Sequence, residues 1–303
     1  MAKIFKSHGK LMITGEYFVL RGAKSLLLPT KFFQDMTVSK LDEKPIISWE
    51  SYDHNNKKWF SVEFNLPYIT IEGEKTEQKI FLKKILDFVI KKTPKIFDNN
   101  IGLKIKTRMD FQRSWGLGSS AILINNLSNY FGLDPFEVSK NVTNSSCADI
   151  ASVVTSKPIT YSLNNKKPLY KHVNFNPEFS KNLLFVFLNK KQSSSKEVEK
   201  FKSLKINDSE INSITQITNE ILNCKGIDDF NYLINEHEKI ISNKIKRKPV
   251  KNLLFNDFEG SIKSLGAWGG DFVLASSENN SKNYFKRKGF ETSFRFDEII
   301  TKY

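Results

Sequence analysis

Two glycines and two serines stand immediately before an apolar helical pattern in Arg113-Ser-Trp-Gly-Leu-Gly-Ser-Ser-Ala-Ile122. Glycine and serine weaken a helix interior, so the run reads as the entrance of a helix. Ile124, Leu127 and Phe131 recur at three- and four-residue intervals and Gly132 stops them, which predicts a helix over Leu117–Phe131. Main-chain N–H groups and the positive dipole end make such an entrance an anion site. Gly116 and Gly118 would let the backbone approach a phosphate closely. The hydroxyls of Ser119 and Ser120 would add a hydrogen bond or a metal ligand. An ordinary Ser-rich N-cap is the plain alternative. No G-x-x-x-x-G-K-[ST] run is present. Gly116-Leu-Gly-Ser-Ser-Ala121 matches a dinucleotide fingerprint, but "DFQRSW" separates its glycines from the preceding strand and Asp134 lies in a turn.

Three further stretches carry polar chemistry. In "KSHGKLMITGEYFVLRGAKSLLLPT", Lys10 stands beside Gly9 at the predicted head of a strand. An ammonium there would meet a phosphoryl oxygen, a carboxylate, or only water. Leu11–Leu20 and Ser25–Pro29 read as strands joined by a turn at Arg21–Lys24. In "SLGAWGGDFVLA", Gly266, Gly269 and Gly270 precede a strand and predict a flexible turn that can pack against backbone or ligand. Trp268 is expected at the edge of that site. Asp149 precedes "IASVV", where an aspartate is favoured as a helix N-cap.

The elements that must position these residues are legible in outline. "IGLKIKTRM" alternates as a half-exposed strand, "KPIISWESYDHNNKKWFSVEF" predicts a hairpin turning at Asp53–Lys57, and Thr76–Lys92 has helical spacing. "NLLFVFLN" is an apolar strand, followed by helices over Asp208–Asn223 and Asp228–Ser242. "GGDFVLAS", a helix over Asn280–Lys288 and "GFETSFRF" complete the pattern. Strands and helices mix without strict alternation, so the fold class is α+β. The 303 residues suffice for two domains, and the polar "NPEFSK" places the boundary near residue 180.

Composition narrows the function. A 39% hydrophobic and 26% charged chain with no apolar run of bilayer length is expected to be globular, without membrane association. Glu16 and Arg21 interrupt the most apolar N-terminal stretch, so no signal peptide is expected. Two cysteines in no ligand spacing suggest neither a disulfide framework nor zinc, which leaves a reduced, cytoplasmic protein as the expectation. The formal charge of +14 suits nucleic acid, acidic lipid or phosphorylated substrates. Its densest run, "KIKRKPVK", lacks aromatic interleaving and reads as a solvated lysine-rich surface.

In this order, the Gly-Lys stretch, G-L-G-S-S-A opening a helix, and the late glycine turn resemble the GHMP kinase superfamily from Lys6 to about Ala275. That group includes galactokinase, homoserine kinase, mevalonate kinase and phosphomevalonate kinase. "SHGKLMITGEY", "LNKKQ" and "LGAWGGDF" are most similar to the subgroup named for a GYDIA signature, whose place here is taken by Cys147-Ala-Asp-Ile-Ala151. The resemblance implies an N-terminal, ribosomal-protein-like α+β domain (1–180) that binds ATP and a ferredoxin-like C-terminal domain (181–303). It implies Trp115, Gly116, Leu117, Gly118, Ser119 and Ser120 as the triphosphate cradle, with Ser120 a Mg²⁺ ligand. It further implies Gly266, Ala267, Gly269 and Gly270 as a second phosphate-positioning turn. Asp149 would be the acid that takes the substrate proton, with Lys10 the cation beside it. Glu16 is a metal-ligand candidate by motif position alone. The implied reaction is ATP-dependent phosphorylation of a small hydroxyl or phosphate acceptor, mevalonate and phosphomevalonate among them. The alternatives are a diphosphomevalonate decarboxylase, an inactive nucleotide-binding protein, and a nucleic-acid-binding protein, the last leaving the phosphate motifs unexplained. Oligomeric state stays open, with a homodimer among the alternatives.

Overall fold

The structure is a computed structural model that describes residues 2–42, 44–97, 101–279 and 281–302. The chain forms two compact units. One comprises Met1–Gly9, Phe32–Arg113 and Gly118–Val154; the other Lys10–Lys31, Ser114–Leu117 and Thr155–Tyr303. Compactness therefore groups residues differently from a single cut at residue 180. Two long strands, β1 (Lys3–Thr14) and β2 (Ser25–Leu41), contribute to both units.

In the first unit follow β3 (Ile46–Tyr52), β4 (Lys58–Asn65), α1 (Glu77–Lys92), β5 (Gly102–Met109), α2 (Ser119–Phe131), α3 (Pro135–Val142) and α4 (Ala148–Thr155). The sheet order there is β4-β3-β5-β2, with β3 parallel to β5 and the other neighbours antiparallel. Period-two alternation is what makes β5 a strand: Leu103, Ile105, Thr107 and Met109 are buried while Lys106 and Arg108 are exposed. The β3–β4 hairpin turns at Asp53, whose N–H donates to Lys57 O at 3.0 Å. Thr76 caps α1 by accepting the Lys79 N–H, and Leu82, Ile85, Leu86 and Val89 form its buried stripe. Buried hydrogen bonds tie β1 to α2: the Ser7 hydroxyl donates to Asn126 Oδ1 at 2.6 Å and accepts from Asn125 Nδ2 at 2.9 Å.

In the second unit are β6 (Ile159–Asn164), β7 (Lys167–His172), β8 (Leu183–Phe187), α5 (Ser194–Lys202), α6 (Asp208–Asn223), α7 (Ile227–Ile245), α8 (Val250–Leu254), β9 (Ser261–Ser264), β10 (Phe272–Ser276), α9 (Lys282–Arg287), β11 (Ser293–Arg295) and α10 (Phe296–Ile299). Four strands order as β11-β8-β10-β9, every neighbouring pair antiparallel. With helices between β8 and β9 and between β10 and β11, this is the β-α-β-β-α-β ferredoxin-like arrangement. Its core holds Val186, Val273, Ile262, Phe255 and Phe285. An Asn207–Glu210 capping box opens α6 at the residue its sequence predicts. Helix α9 begins at Lys282; Asn280, where it was expected to start, lies outside the described residues. Among the described residues no helix is long and apolar enough to cross a membrane.

The predicted strand Leu11–Leu20 is corrected. β1 stops at Thr14, and Phe18–Arg21 forms a 3₁₀ turn set between two left-handed glycines, Gly15 at φ 87° and Gly22 at φ 95°, with Phe18 and Val19 buried. The basic run is corrected in part, with Lys246 and Lys248 exposed as expected. Lys244 pairs with Glu210 at 2.7 Å, Arg247 with Glu197 at 2.7 Å, and Lys251 Nζ donates to Gly260 O, so three of its cations bond within the fold.

Candidate active site

Helix α2 begins at Ser119, two residues later than its periodicity suggests. Its N-cap is Gly118 at φ 85°, with no side-chain hydrogen bond at the entrance, so the Ser-rich cap is not what forms. Gly116 is also left-handed, at φ 68°, a conformation that costs an L residue about 1–2 kcal/mol. Gly116 and Ser120 are exposed and Gly118 and Ser119 partly so, which leaves the start of a 13-residue helix at the surface. Leu117 and Trp115 are buried, the indole edge-on to Phe272 (6.0 Å) and Phe294 (5.1 Å). These two anchor the loop from beneath while its glycines stay uncovered.

Lys10 is not at a strand head; it lies well inside β1, 8% exposed. Its N–H donates to Leu117 O at 3.0 Å, stitching the strand to the glycine loop. The late turn is tight. Gly266 and Gly269 have φ 68° and 103°, and a Cβ on Gly270 would lie 2.5 Å from Lys190 O, so only glycine fits there. Ala267 is buried. Trp268, expected at the site's edge, is 1% exposed and packs in a core with Tyr17, Phe18 and Phe201. The Trp268 N–H donates to Tyr17 Oη at 2.9 Å, and Arg247 Nη1 donates to Trp268 O at 3.1 Å.

Beneath that turn is a buried ionisable cluster that the sequence does not announce. Lys263, wholly buried, donates to Glu16 Oε1 at 2.6 Å and to Ser264 O at 2.9 Å. Glu16 is therefore committed to an internal ion pair, and the metal-ligand role suggested by its motif position is corrected. Burial pushes the Glu16 carboxyl up, against the pull of Lys263 and the Gly266 amide. Glu238 accepts the Ser264 N–H at 3.1 Å and lies 4.0 Å from Lys263. Burial, reinforced by the Glu16 charge and opposed by Lys263, pushes Glu238 up to about 8. The Gly15 N–H donates to His237 Nε2 at 2.9 Å, so that nitrogen is an acceptor. Burial and the Lys263 charge hold His237 well below its ordinary range, and the imidazole stays neutral. Its 3.4 Å approach to Glu16 is thus no ion pair.

Glu238 has a measurable consequence. The folded state holds its proton at pH values where the unfolded chain has released it, so its contribution falls as pH rises from about 4.5 towards about 8. His237, depressed, acts with the opposite sign at and below about pH 6.5. Between pH 6.5 and 9 the stability of wild type relative to Glu238→Gln is expected to decline, read as the difference in chemical-denaturation midpoints. A flat difference would place Glu238 in its ionised form throughout.

Asp149 is half-buried in the first turn of α4, one residue inside the helix rather than at its cap. Cys147 precedes that helix at φ 64°, a left-handed conformation at the place the signature gives to glycine. Among the described residues no three His, Cys, Asp or Glu gather as a metal centre requires. A divalent cation here would depend on ligands it brings with it, with a hydroxyl such as that of Ser120 as a protein partner. The uncapped α2 entrance and its bare glycines fit a phosphate group.

No protein-family model matches the chain, and no curated protein matches it in sequence. Solved structures do match in fold. Mevalonate kinase of Methanococcus jannaschii superposes with a TM-score of 0.69 at 20% identity, covering 100% of this chain and 99% of that one. Streptococcus pneumoniae phosphomevalonate kinase, in complex with phosphomevalonate and AMPPNP, gives 0.72 at 17% identity over 97% and 99%. Lactococcus lactis galactokinase, complexed with galactose, gives 0.68 at 14% identity over 97% and 92%. The chain has the two-domain α+β fold of the GHMP kinases.

Proposed function

We propose that this protein is an ATP-dependent small-molecule kinase that moves a γ-phosphoryl group to a hydroxyl or phosphate acceptor. The observation that carries this reading is the uncapped entrance of α2, with Gly116 and Gly118 left-handed and at the surface. The fold of ATP-using kinases over nearly the whole chain supports it. Bound ATP supplies the phosphoryl group, and a Mg²⁺ carried with it spreads the developing charge. In this reading the N–H groups of Gly118 and Ser119 bind phosphate oxygens and the Ser120 hydroxyl meets the metal. Gly266, Ala267, Gly269 and Gly270 keep the second turn against the phosphates. Asp149 accepts the acceptor's hydroxyl proton as its oxygen bonds to phosphorus and the bridge to ADP breaks, and Lys10 balances the charge.

Phosphoryl transfer asks mainly for charge neutralisation and in-line positioning, which suits a site poor in nucleophiles. Mevalonate and phosphomevalonate are the acceptors we favour, because two of the matched structures carry those activities in their names. The assignment of 1–180 to ATP binding and 181–303 to the ferredoxin-like part, and membership of the GYDIA subgroup, belong to the same proposal. The nucleic-acid reading loses ground because Lys244, Arg247 and Lys251 bond internally.

Calorimetric titration with Mg-ATP is the test, followed by transfer assays with mevalonate, phosphomevalonate and galactose. Gly118→Val should abolish binding while the protein stays folded, because a β-branched residue is an outlier at φ 85°. Wild-type affinity in that variant would remove the cradle assignment.

A further inference from the structure

Asp271 is not singled out by the sequence motifs, yet two segments of the second unit converge on it. Its N–H donates to Lys190 O at 2.7 Å and its C=O accepts from Leu188 N–H at 2.8 Å. Its Oδ1 accepts the Gln192 N–H at 3.1 Å. The same carboxylate lies against the nucleotide loop: a Cβ built on Gly116 would stand 2.5 Å from Oδ2 and 2.6 Å from Cγ. Asp271 is also left-handed, at φ 54°, and only 7% exposed.

Two unfavourable conditions thus coincide in one residue, a left-handed backbone and a buried carboxylate. Burial raises its pKa, while the Gln192 amide and the charges of Lys10 and Lys191 favour the ionised form. Such strain persists only where the surroundings over-determine it, and it gathers at ligand clamps. Aspartate and asparagine are the non-glycine residues that best tolerate the left-handed region. Glycine there would relieve the backbone and leave nothing beside Gly116.

We propose that Asp271 is the positioning residue of the nucleotide loop: its side chain occupies the space that a side chain at residue 116 would need, and so sets how closely Ser114–Leu117 approaches Leu188–Gln192. Gly116 and Asp271 are two halves of one fit. This inference rests on the kinase reading, because it gives the spacing a purpose in phosphate binding.

The probe is Mg-ADP, titrated calorimetrically into the full chain, with the melting temperature recorded for each variant. Asp271→Gly is expected to stay folded and bind about fivefold more weakly, and Asp271→Asn, which keeps shape and backbone preference, to return within about twofold of wild type. Gly116→Ala is expected to lose about tenfold or more, through overpacking against the Asp271 carboxylate and through the strain of a Cβ at φ 68°. Combining it with Asp271→Gly should recover at least about threefold over Gly116→Ala alone, since the deleted carboxylate makes room for the added methyl. A merely structural role would move melting temperature and affinity together and give no such rescue. Wild-type affinity in Asp271→Gly, or a double variant no tighter than Gly116→Ala, would overturn the inference while leaving the kinase reading intact. Should Gly116→Ala fail to fold, the Asp271→Gly and Asp271→Asn comparison decides alone. A wild type that ignores Mg-ADP overturns both.

Discussion

Asp149→Asn should leave Mg-ADP affinity within about threefold of wild type and lower phosphoryl transfer by about 10²–10⁴-fold. Asparagine matches aspartate in size, so the packing at the start of α4 is retained. The helix dipole alone makes the lost charge worth only about 0.3–1 kcal/mol of stability. On the proposed mechanism the rate loss arises elsewhere, because the acceptor's proton would no longer have a carboxylate to go to. Lys10→Met should behave alike. The Lys10 contact to Leu117 is made by main-chain N–H, so it survives the substitution and the glycine loop keeps its anchor. The double variant should lose far less than the product of the two single losses, because groups acting in one step are not additive. Rates are to be measured with the acceptor identified by the transfer assays, and affinity by calorimetry. An Asp149→Asn protein that transfers at the wild-type rate would end the assignment. Full multiplicativity in the cycle would separate Lys10 from it.

Lys263→Met should destabilise the protein by about 3–5 kcal/mol, the cost of leaving a buried carboxylate without its partner. Lys263 and Glu16 are both almost completely inaccessible, and neither can reach water without opening the fold. Glu16→Gln should also destabilise the protein, because it leaves the buried Lys263 ammonium without the carboxylate it donates to. The double variant Glu16→Gln/Lys263→Met should be more stable than Lys263→Met alone, since an apolar side chain against a neutral amide removes both charges together. Urea denaturation of the three variants measures this. If Lys263→Met unfolds within about 1 kcal/mol of wild type, Glu16 is not left as a buried, unpaired charge in that variant.

The sequence made local order readable and long-range order much less so. Helix α6 and the β3–β4 hairpin were legible because their caps, turn residues and periods lie within a few positions of each other. The glycine loop was legible for the same reason. Glu16 and Lys263 were not, since a charge 247 positions from its partner leaves no spacing to read. Trp268, expected at the site's edge among its glycines, is instead held in the core: its main chain bonds to Tyr17 and Arg247, and its ring packs in a cluster with Phe201. β7 is not legible because it is mostly exposed, with Lys167, Pro168 and Lys171, a composition that reads as loop and also discourages edge pairing. Lys10 seemed to open a strand only because Gly9 precedes it; the strand begins at Lys3.

The strand order β11-β8-β10-β9 sets a timetable for synthesis. β8 emerges first of the four, yet both its neighbours come far later, Phe272–Ser276 on one side and Ser293–Arg295 on the other. Until then Leu183–Phe187, five buried apolar residues, has no ladder on either edge. Non-local pairing of this kind folds slowly and leaves unpaired strand edges open to aggregation. A nascent chain stalled before residue 272 therefore exposes an apolar strand whose partners have not yet been made, and chaperone demand should peak in that interval and fall once Arg295 has cleared the ribosome.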